Sequence, residues 1–291
     1  MITVETIHGK FTGYDDDWIT KGLQECGAFN RPELSMILSF LRAGDTVLDV
    51  GSHIGTYCVP MKKIVGEEGI VYAFEANPET FALLRKNLKD NDVEVRAFNN
   101  GVSCKPGILY MQERKNKYIS SGSDYLVESP PEGLDQAVEV KLVAIDDVVK
   151  EKVDFIKIDV EGMEISVLKS AANTIDRSRP IIYCEYYEYF FKRAKDDPAD
   201  FERFFKNRNY DYFMNVGKRF VANDEFQLVR IPGPKFVRAH TDFLLIPRES
   251  ERYPKQFLDW KTYKPYKFIW DRVKTFLSPI KNTLRKVLKK S

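Results

Sequence analysis

Cysteine and histidine are scarce in this chain of 291 residues, with four of the first and three of the second. Cys26, Cys58, Cys104 and Cys184 contain no C-x-x-C pair, which excludes the short-spaced zinc and redox motifs, and they are too few for a disulfide-stapled scaffold. Cys58 and Cys184 lie in apolar runs and read as buried thiols. His8, His53 and His240 are too widely spaced for a zinc set. No apolar run approaches the ~20 residues that cross a bilayer as a helix. The N-terminal segment carries Asp15-Asp16-Asp17 in place of a basic region followed by an apolar one, so no signal peptide and a reducing, cytosolic setting are expected. Before residue 248 there are 32 basic and 39 acidic residues, so the body offers no nucleic-acid face; residues 248–291 hold 13 basic and four acidic ones.

What is present is an α/β pattern. Val47 to Val50 reads as a buried strand, Gly51 to Gly55 as a glycine turn, and the following residues as a helix. A second buried strand, 70–74, ends in Glu75, and Pro78 opens another helix. Such a strand–turn–helix–strand–acid unit holds a nucleoside, the acid accepting hydrogen bonds from both ribose hydroxyls. The glycines are spaced G-x-x-x-G, without the third glycine of a dinucleotide fingerprint. Asp49 before the turn repels a pyrophosphate and suits a cation. S-adenosylmethionine carries a sulfonium and an ammonium but no phosphate, so the turn reads as a pocket for it.

Further strands are expected at 93–98, 108–111, 138–142, 153–159, 180–185, 210–215 and 241–246, and helices at 32–42, 146–150, 165–171 and 198–208. Alternation of this kind implies a largely parallel sheet covered on both faces. Between 107 and 142 the rhythm breaks into a long polar loop with Ser120 to Ser123 and Pro130-Pro131. The organisation expected is a segment 1–30, a domain 31–247 and a basic extension 248–291. Asp49, Glu75, Asn99, Asp159 and Glu185 each fall at or near a strand end, the edge where such sheets gather function.

The runs Val47–Tyr57, Phe74-Glu75-Ala76-Asn77-Pro78 and Lys157-Ile158-Asp159-Val160-Glu161-Gly162-Met163-Glu164 resemble the FkbM-type S-adenosylmethionine-dependent methyltransferases, over roughly residues 30–190. The resemblance implies a Rossmann-like sheet of about seven strands, the last antiparallel, and methylation of hydroxyl groups, often on sugars of glycans or glycolipids. It implies that Asp49, Gly51, Ser52, His53, Gly55 and Thr56 hold the methionine end of the cofactor and that Glu75, with Ala76 and Asn77, holds the ribose. Asn99 and Asn100 would border the adenine.

A sugar hydroxyl is a weak acid, so methyl transfer needs a base. Asp159 or Glu185 supplies it, or both bind a divalent cation such as Mg²⁺, as strand-end acids do in the similar catechol O-methyltransferase-like enzymes. His240, beside Asp242, is the alternative base. Glu161 is a candidate substrate contact, and Glu164 a helix cap favoured by the helix dipole. Lys157 either pairs with one of these two or faces solvent. Tyr186 and Tyr187 either pack or stack on a sugar.

Residues 266–290 place Ile269, Val273, Phe276, Leu277, Ile280 and Leu284 at helical spacing among lysines and arginines, a pattern that fits a membrane-surface helix or one docked on the acidic body. Two rivals remain. An NAD-dependent nucleotide-sugar enzyme would lack both its third glycine and a Tyr-x-x-x-Lys pair. A non-catalytic scaffold would leave the strand-end acids without a role. A protein or nucleic-acid methyltransferase lacks the Asn/Asp-Pro-Pro-Tyr motif after the 153–159 strand.

Overall fold

A computed structural model describes residues 1–112, 124–130, 138–237 and 240–261. The chain opens with a hairpin, β1 (Ile2–Thr6) and β2 (Gly9–Gly13), then α1 (Trp18–Cys26) and α2 (Arg31–Ser39). The first βαβ units follow as β3 (Thr46–Val50), α3 (Cys58–Val65), β4 (Ile70–Phe74), α4 (Pro78–Asp90) and β5 (Arg96–Phe98). A second sheet interrupts them, built from β6 (Gly101–Val102), β7 (Gly107–Gln112), β8 (Tyr125–Val127) and β9 (Glu139–Val143). The main sheet resumes through α5 (Ile145–Val148), β10 (Phe155–Ile158), α6 (Glu164–Ser170), α7 (Ala172–Ser178), β11 (Ile181–Tyr186), α8 (Glu188–Arg193) and α9 (Ala199–Phe205). It closes with β12 (Tyr210–Asn215), β13 (Leu228–Ile231), β14 (Thr241–Pro247) and β15 (Leu258–Asp259).

The main sheet runs β15-β13-β12-β14-β11-β10-β3-β4-β5. Strands β11, β10, β3, β4 and β5 pair in parallel, and β14 lies antiparallel between β11 and β12. This is the expected Rossmann-like methyltransferase sheet with its antiparallel last strand, extended at one edge by β13 and the two-residue β15. Each central strand is buried on both faces and sends alternate residues to opposite cores. Leu48, Val50, Ile156, Ile158 and Ile182 join the core beneath α6, α7 and α9. Val47, Phe155, Ile181 and Tyr183 join the core beneath the hairpin and α1 to α4.

Several boundaries moved. The helix expected from Gly55 begins at Cys58, because Gly51 to Tyr57 are spent on the turn. The strand expected from Val93 keeps only its last three residues. The hairpin, α1 and β13 were not anticipated from the sequence. Cys58 and Cys184 are buried thiols, and so is Cys26. Ser120 to Ser123, Pro131 and the basic segment 266–290 lie outside the described residues. Among the described residues no helix is long and apolar enough to cross a membrane.

Beyond the core contacts of Val4 and Phe11 and the Asn91 amide on Lys10, one fully buried side chain joins the hairpin to the domain. Asn87 on α4, fully buried, accepts from the Thr12 N–H at 2.8 Å and donates to the carbonyls of Thr12 at 3.0 Å and Ile54 at 2.8 Å. Ile54 belongs to the glycine turn, so the same amide ties hairpin, helix and turn together. Asn87→Ala leaves these buried groups unpaired, at about 1–3 kcal/mol each when water cannot reach them. Urea denaturation is expected to show a loss of about 3 kcal/mol or more; a change below 0.5 kcal/mol would mean that the hairpin is held by its apolar contacts alone.

Candidate active site

One cavity of about 310 Å³ opens at the carboxyl ends of β3, β4, β10 and β11 and the amino end of the antiparallel β14. Its first wall is the turn after β3. The Gly51 and Ser52 N–H groups donate to the Phe74 carbonyl at 2.9 and 3.0 Å, which folds the turn over the end of β4. Gly51 has φ +82°, and a Cβ there would stand 1.8 Å from the Asp159 carbonyl oxygen. The glycine is therefore required by the neighbouring strand end, not only by a ligand.

Glu75 is buried, and both of its oxygens are aimed by the backbone: His53 N–H donates to Oε2 at 2.8 Å and Asn77 N–H to Oε1 at 2.9 Å. Each carboxylate oxygen keeps a lone pair for a further donor, which is the capacity a ribose diol needs. Burial pushes the Glu75 carboxyl up to about 7, against the pull of those two amides. Asn99 does not line the cavity; its amide holds the carbonyls of Glu75 at 2.9 Å and Ala76 at 3.2 Å. Asn100 does line it, with its amide donating to the Lys141 carbonyl at 3.1 Å. Ala76, Asn77, Ser52, His53 and Thr56 are cavity residues, whereas Gly55 packs against Leu84.

Asp49 and Lys157 differ most from expectation. Asp49 is fully buried and does not line the cavity. Its Oδ1 lies 3.2 Å from the Lys157 ammonium, which also donates to the Gly51 carbonyl at 3.0 Å and stands 3.9 Å from Asp159. Lys157 is 2% exposed, so it neither faces solvent nor pairs with Glu161 or Glu164. Burial alone would lower its pKa, but Asp49 and Asp159 outweigh burial and hold it above the usual lysine value. Burial raises the Asp49 carboxyl.

The far end of the cavity gathers acids. Asp159, Glu161, Glu185 and Asp242 line it, with His240. His240 Nε2 lies 2.6 Å from Glu185 Oε1, and the imidazole stacks on Tyr187 at 4.9 Å between ring centroids. Burial and the carboxylates of Asp159, Glu164 and Asp242 push Glu185 well above the ordinary carboxyl range. Glu164 is the cap it was expected to be: its Oε1 accepts from the Val160 and Gly162 N–H groups at 3.1 Å. Tyr186 does not line the cavity. It is buried among Phe191, Phe201 and Phe243, while Tyr187 supports His240 from outside the cavity lining.

Sequence reasoning missed Arg219, which donates to Glu33 at 2.9 Å and to Asp242 and so fixes that edge of the cavity. It also missed Trp18 and Phe220, which form an edge-on pair at 5.1 Å beside the opening. Trp18 sits on α1, in a segment with no motif, and Arg219 lies in a loop. The donor set fits S-adenosylmethionine: a buried carboxylate aimed by backbone amides at one end, and a cavity rich in carboxylates for the sulfonium and ammonium.

Residues 49–212 match the model of the methyltransferase FkbM domain. Over 146 residues the chain is 29% identical to the hexuronic acid methyltransferase AglP of Haloferax volcanii, covering 49% of this chain and 56% of that one. It is 30% identical over 153 residues to the methyltransferase sdnD of Sordaria araneosa, covering 42% and 59% of the two chains. The chain therefore spans less than two thirds of either relative. Among solved structures, an FkbM methyltransferase of Methylobacillus flagellatus is similar at 17% identity and TM-score 0.46, covering 75% of this chain and 48% of that one.

The elevated Glu75 carboxyl makes cofactor affinity depend on pH. Only its ionised form accepts from both ribose hydroxyls, so S-adenosylmethionine affinity is expected to fall about tenfold per pH unit below 7. Calorimetric titration from pH 5.5 to 8 reads this directly. Glu75→Gln should bind weakly at every pH, and a flat wild-type profile would contradict the assignment.

Proposed function

Because the chain belongs to the FkbM methyltransferase family, we propose that it is an S-adenosylmethionine-dependent O-methyltransferase acting on a sugar hydroxyl. The observation that carries this is the Glu185–His240 pair, 2.6 Å apart, in the same cavity as the glycine turn and Glu75. The hexuronic acid methyltransferase among its relatives supports a sugar acceptor.

When bound, S-adenosylmethionine supplies a methyl group already activated by its sulfonium. Two tasks fall to the protein. The first is alignment, which contributes on the order of 7–11 kcal/mol when two reactants are held in line. Gly51, Ser52 and Thr56 set one reactant, and the wall of Trp18, Phe220 and Arg219 faces the other. The second is removal of the hydroxyl proton. Glu185 holds the imidazole by Nε2, and stacking on Tyr187 fixes the ring plane. His240 then takes the proton, and Glu185 stabilises the imidazolium.

A second reading rests on a specific observation. Glu185 Oε2 is buried and accepts no hydrogen bond among the described residues, and Asp159, Glu161 and Glu185 each offer an oxygen within 4.8 Å of the others. Such oxygens suit a hard divalent cation, which would lower the pKa of the acceptor hydroxyl.

Titration with S-adenosylmethionine and S-adenosylhomocysteine, with NAD as control, tests the cofactor; preference for NAD would overturn the proposal. With uronic-acid glycosides as acceptors, His240→Ala is expected to lower kcat by about 10²- to 10⁴-fold with cofactor affinity unchanged. A chelator that abolishes turnover while His240→Ala spares it would select the cation reading instead.

A further inference from the structure

A second and larger cavity, about 630 Å³, lies beside the first. Tyr125, Leu126, Glu161 and Met163 line both and form the wall between them. The charge reverses across this wall. In the first cavity six carboxylates stand against Lys157 and Arg219. In the second, Lys105, Lys169, Arg193 and Lys195 outnumber Glu128, Glu161 and Asp196.

The cations converge. Lys105, Lys169 and Lys195 line the second cavity together, Lys105 and Lys169 acting on Asp196 and Lys105 and Lys195 on Glu128. Lys169 pairs with Asp200 at 2.9 Å and Lys195 with Glu128 at 2.6 Å, with side chains 43% and 77% exposed. Exposed pairs of this kind contribute little, so an incoming anion displaces them at little cost. Arg193 is different. Its guanidinium lies 3.8 Å over the Tyr125 ring and 4.4 Å over Phe190, and it donates to the Glu161 carbonyl. It is a rigid cation set into the wall itself.

We propose that this second cavity holds an anionic part of the acceptor, a carboxylate or a phosphate, adjoining the sugar whose hydroxyl is methylated in the first. The proposal rests on the methyltransferase reading and adds the class of acceptor: an acidic glycan or a phosphate-linked sugar, not a neutral one. Repulsion from the first cavity and attraction to the second orient such a molecule in one direction, hydroxyl toward His240 and charge toward the lysines.

The test uses the full chain saturated with S-adenosylhomocysteine and titrated with three probes: tetragalacturonate, maltotetraose as its neutral counterpart, and inorganic pyrophosphate. Binding of tetragalacturonate or pyrophosphate, weakened by raising salt from 50 to 200 mM, is expected, with maltotetraose bound at least tenfold more weakly. Tetragalacturonate alone would identify the anion as a sugar carboxylate, and pyrophosphate alone as a phosphate linkage. Lys105→Ala and Lys169→Ala should each weaken binding of the anion about tenfold, the loss of one charged contact, and the Arg replacements should restore most of it. Equal binding of the neutral and anionic probes, or unchanged binding in both Ala variants, would overturn the proposal. S-adenosylhomocysteine affinity, measured alongside, should be the same in all variants. Its absence in the wild type would refute the methyltransferase reading instead of the cleft.

Discussion

The site is organised around one buried cation. An ammonium taken out of water without partners costs far more than a domain's whole stability, so Lys157 exists at 2% exposure only because anions meet it. Parallel pairing of β10 with β3 sets Lys157 directly opposite Asp49, and the end of β10 brings Asp159 within 3.9 Å. The remaining donor capacity of the ammonium goes to the Gly51 carbonyl. Strand register, ion pair and turn are thus a single arrangement. The turn cannot accept a side chain at Gly51 because the Asp159 carbonyl occupies that space, and the carbonyl is there because β10 ends where it does. Asp49 acts on the cofactor site from behind, by holding the lysine that holds the turn.

This explains which parts of the molecule could be read from residues alone. The central strands are largely apolar, as a sheet buried on both faces requires, and most end in a polar residue that the fold delivers to one edge. Glu75, Asp159 and Glu185 were legible for that reason, and His240 as a histidine just before the 241–246 strand. Lys157 was not, because its partner is chosen by register across strands more than a hundred residues apart in sequence, and an isolated strand cannot reveal its neighbour. Arg219 bridges Glu33 and Asp242 in the same non-local way. Tyr186 and Tyr187 show the limit of composition. Consecutive residues at a strand end point to opposite sides, so one tyrosine joins an aromatic core and the other supports a histidine. The opening hairpin is short, and its place depends on distant partners: the core around Val4 and Phe11 and the buried Asn87 amide on Thr12.

The cavity also concentrates what the remainder of the fold avoids. Glu75 and Glu185 on its wall, with Asp49 and Glu164 packed behind, are buried carboxyls whose pKa burial raises. His53, Glu161 and Phe220, all on the cavity wall, adopt left-handed backbone conformations without being glycine. Residues held in such conformations cost about 1–3 kcal/mol each and persist only where surrounding structure determines them. Here the determining structure is visible: His53 N–H is bound to Glu75, the Glu161 carbonyl to Arg193, and Phe220 is wedged against Trp18 and Phe29. Like-charge repulsion and backbone strain therefore fall on the same surface, and a cationic ligand relieves the first without disturbing the second. A site shaped this way favours a sulfonium over a phosphate at its acidic end.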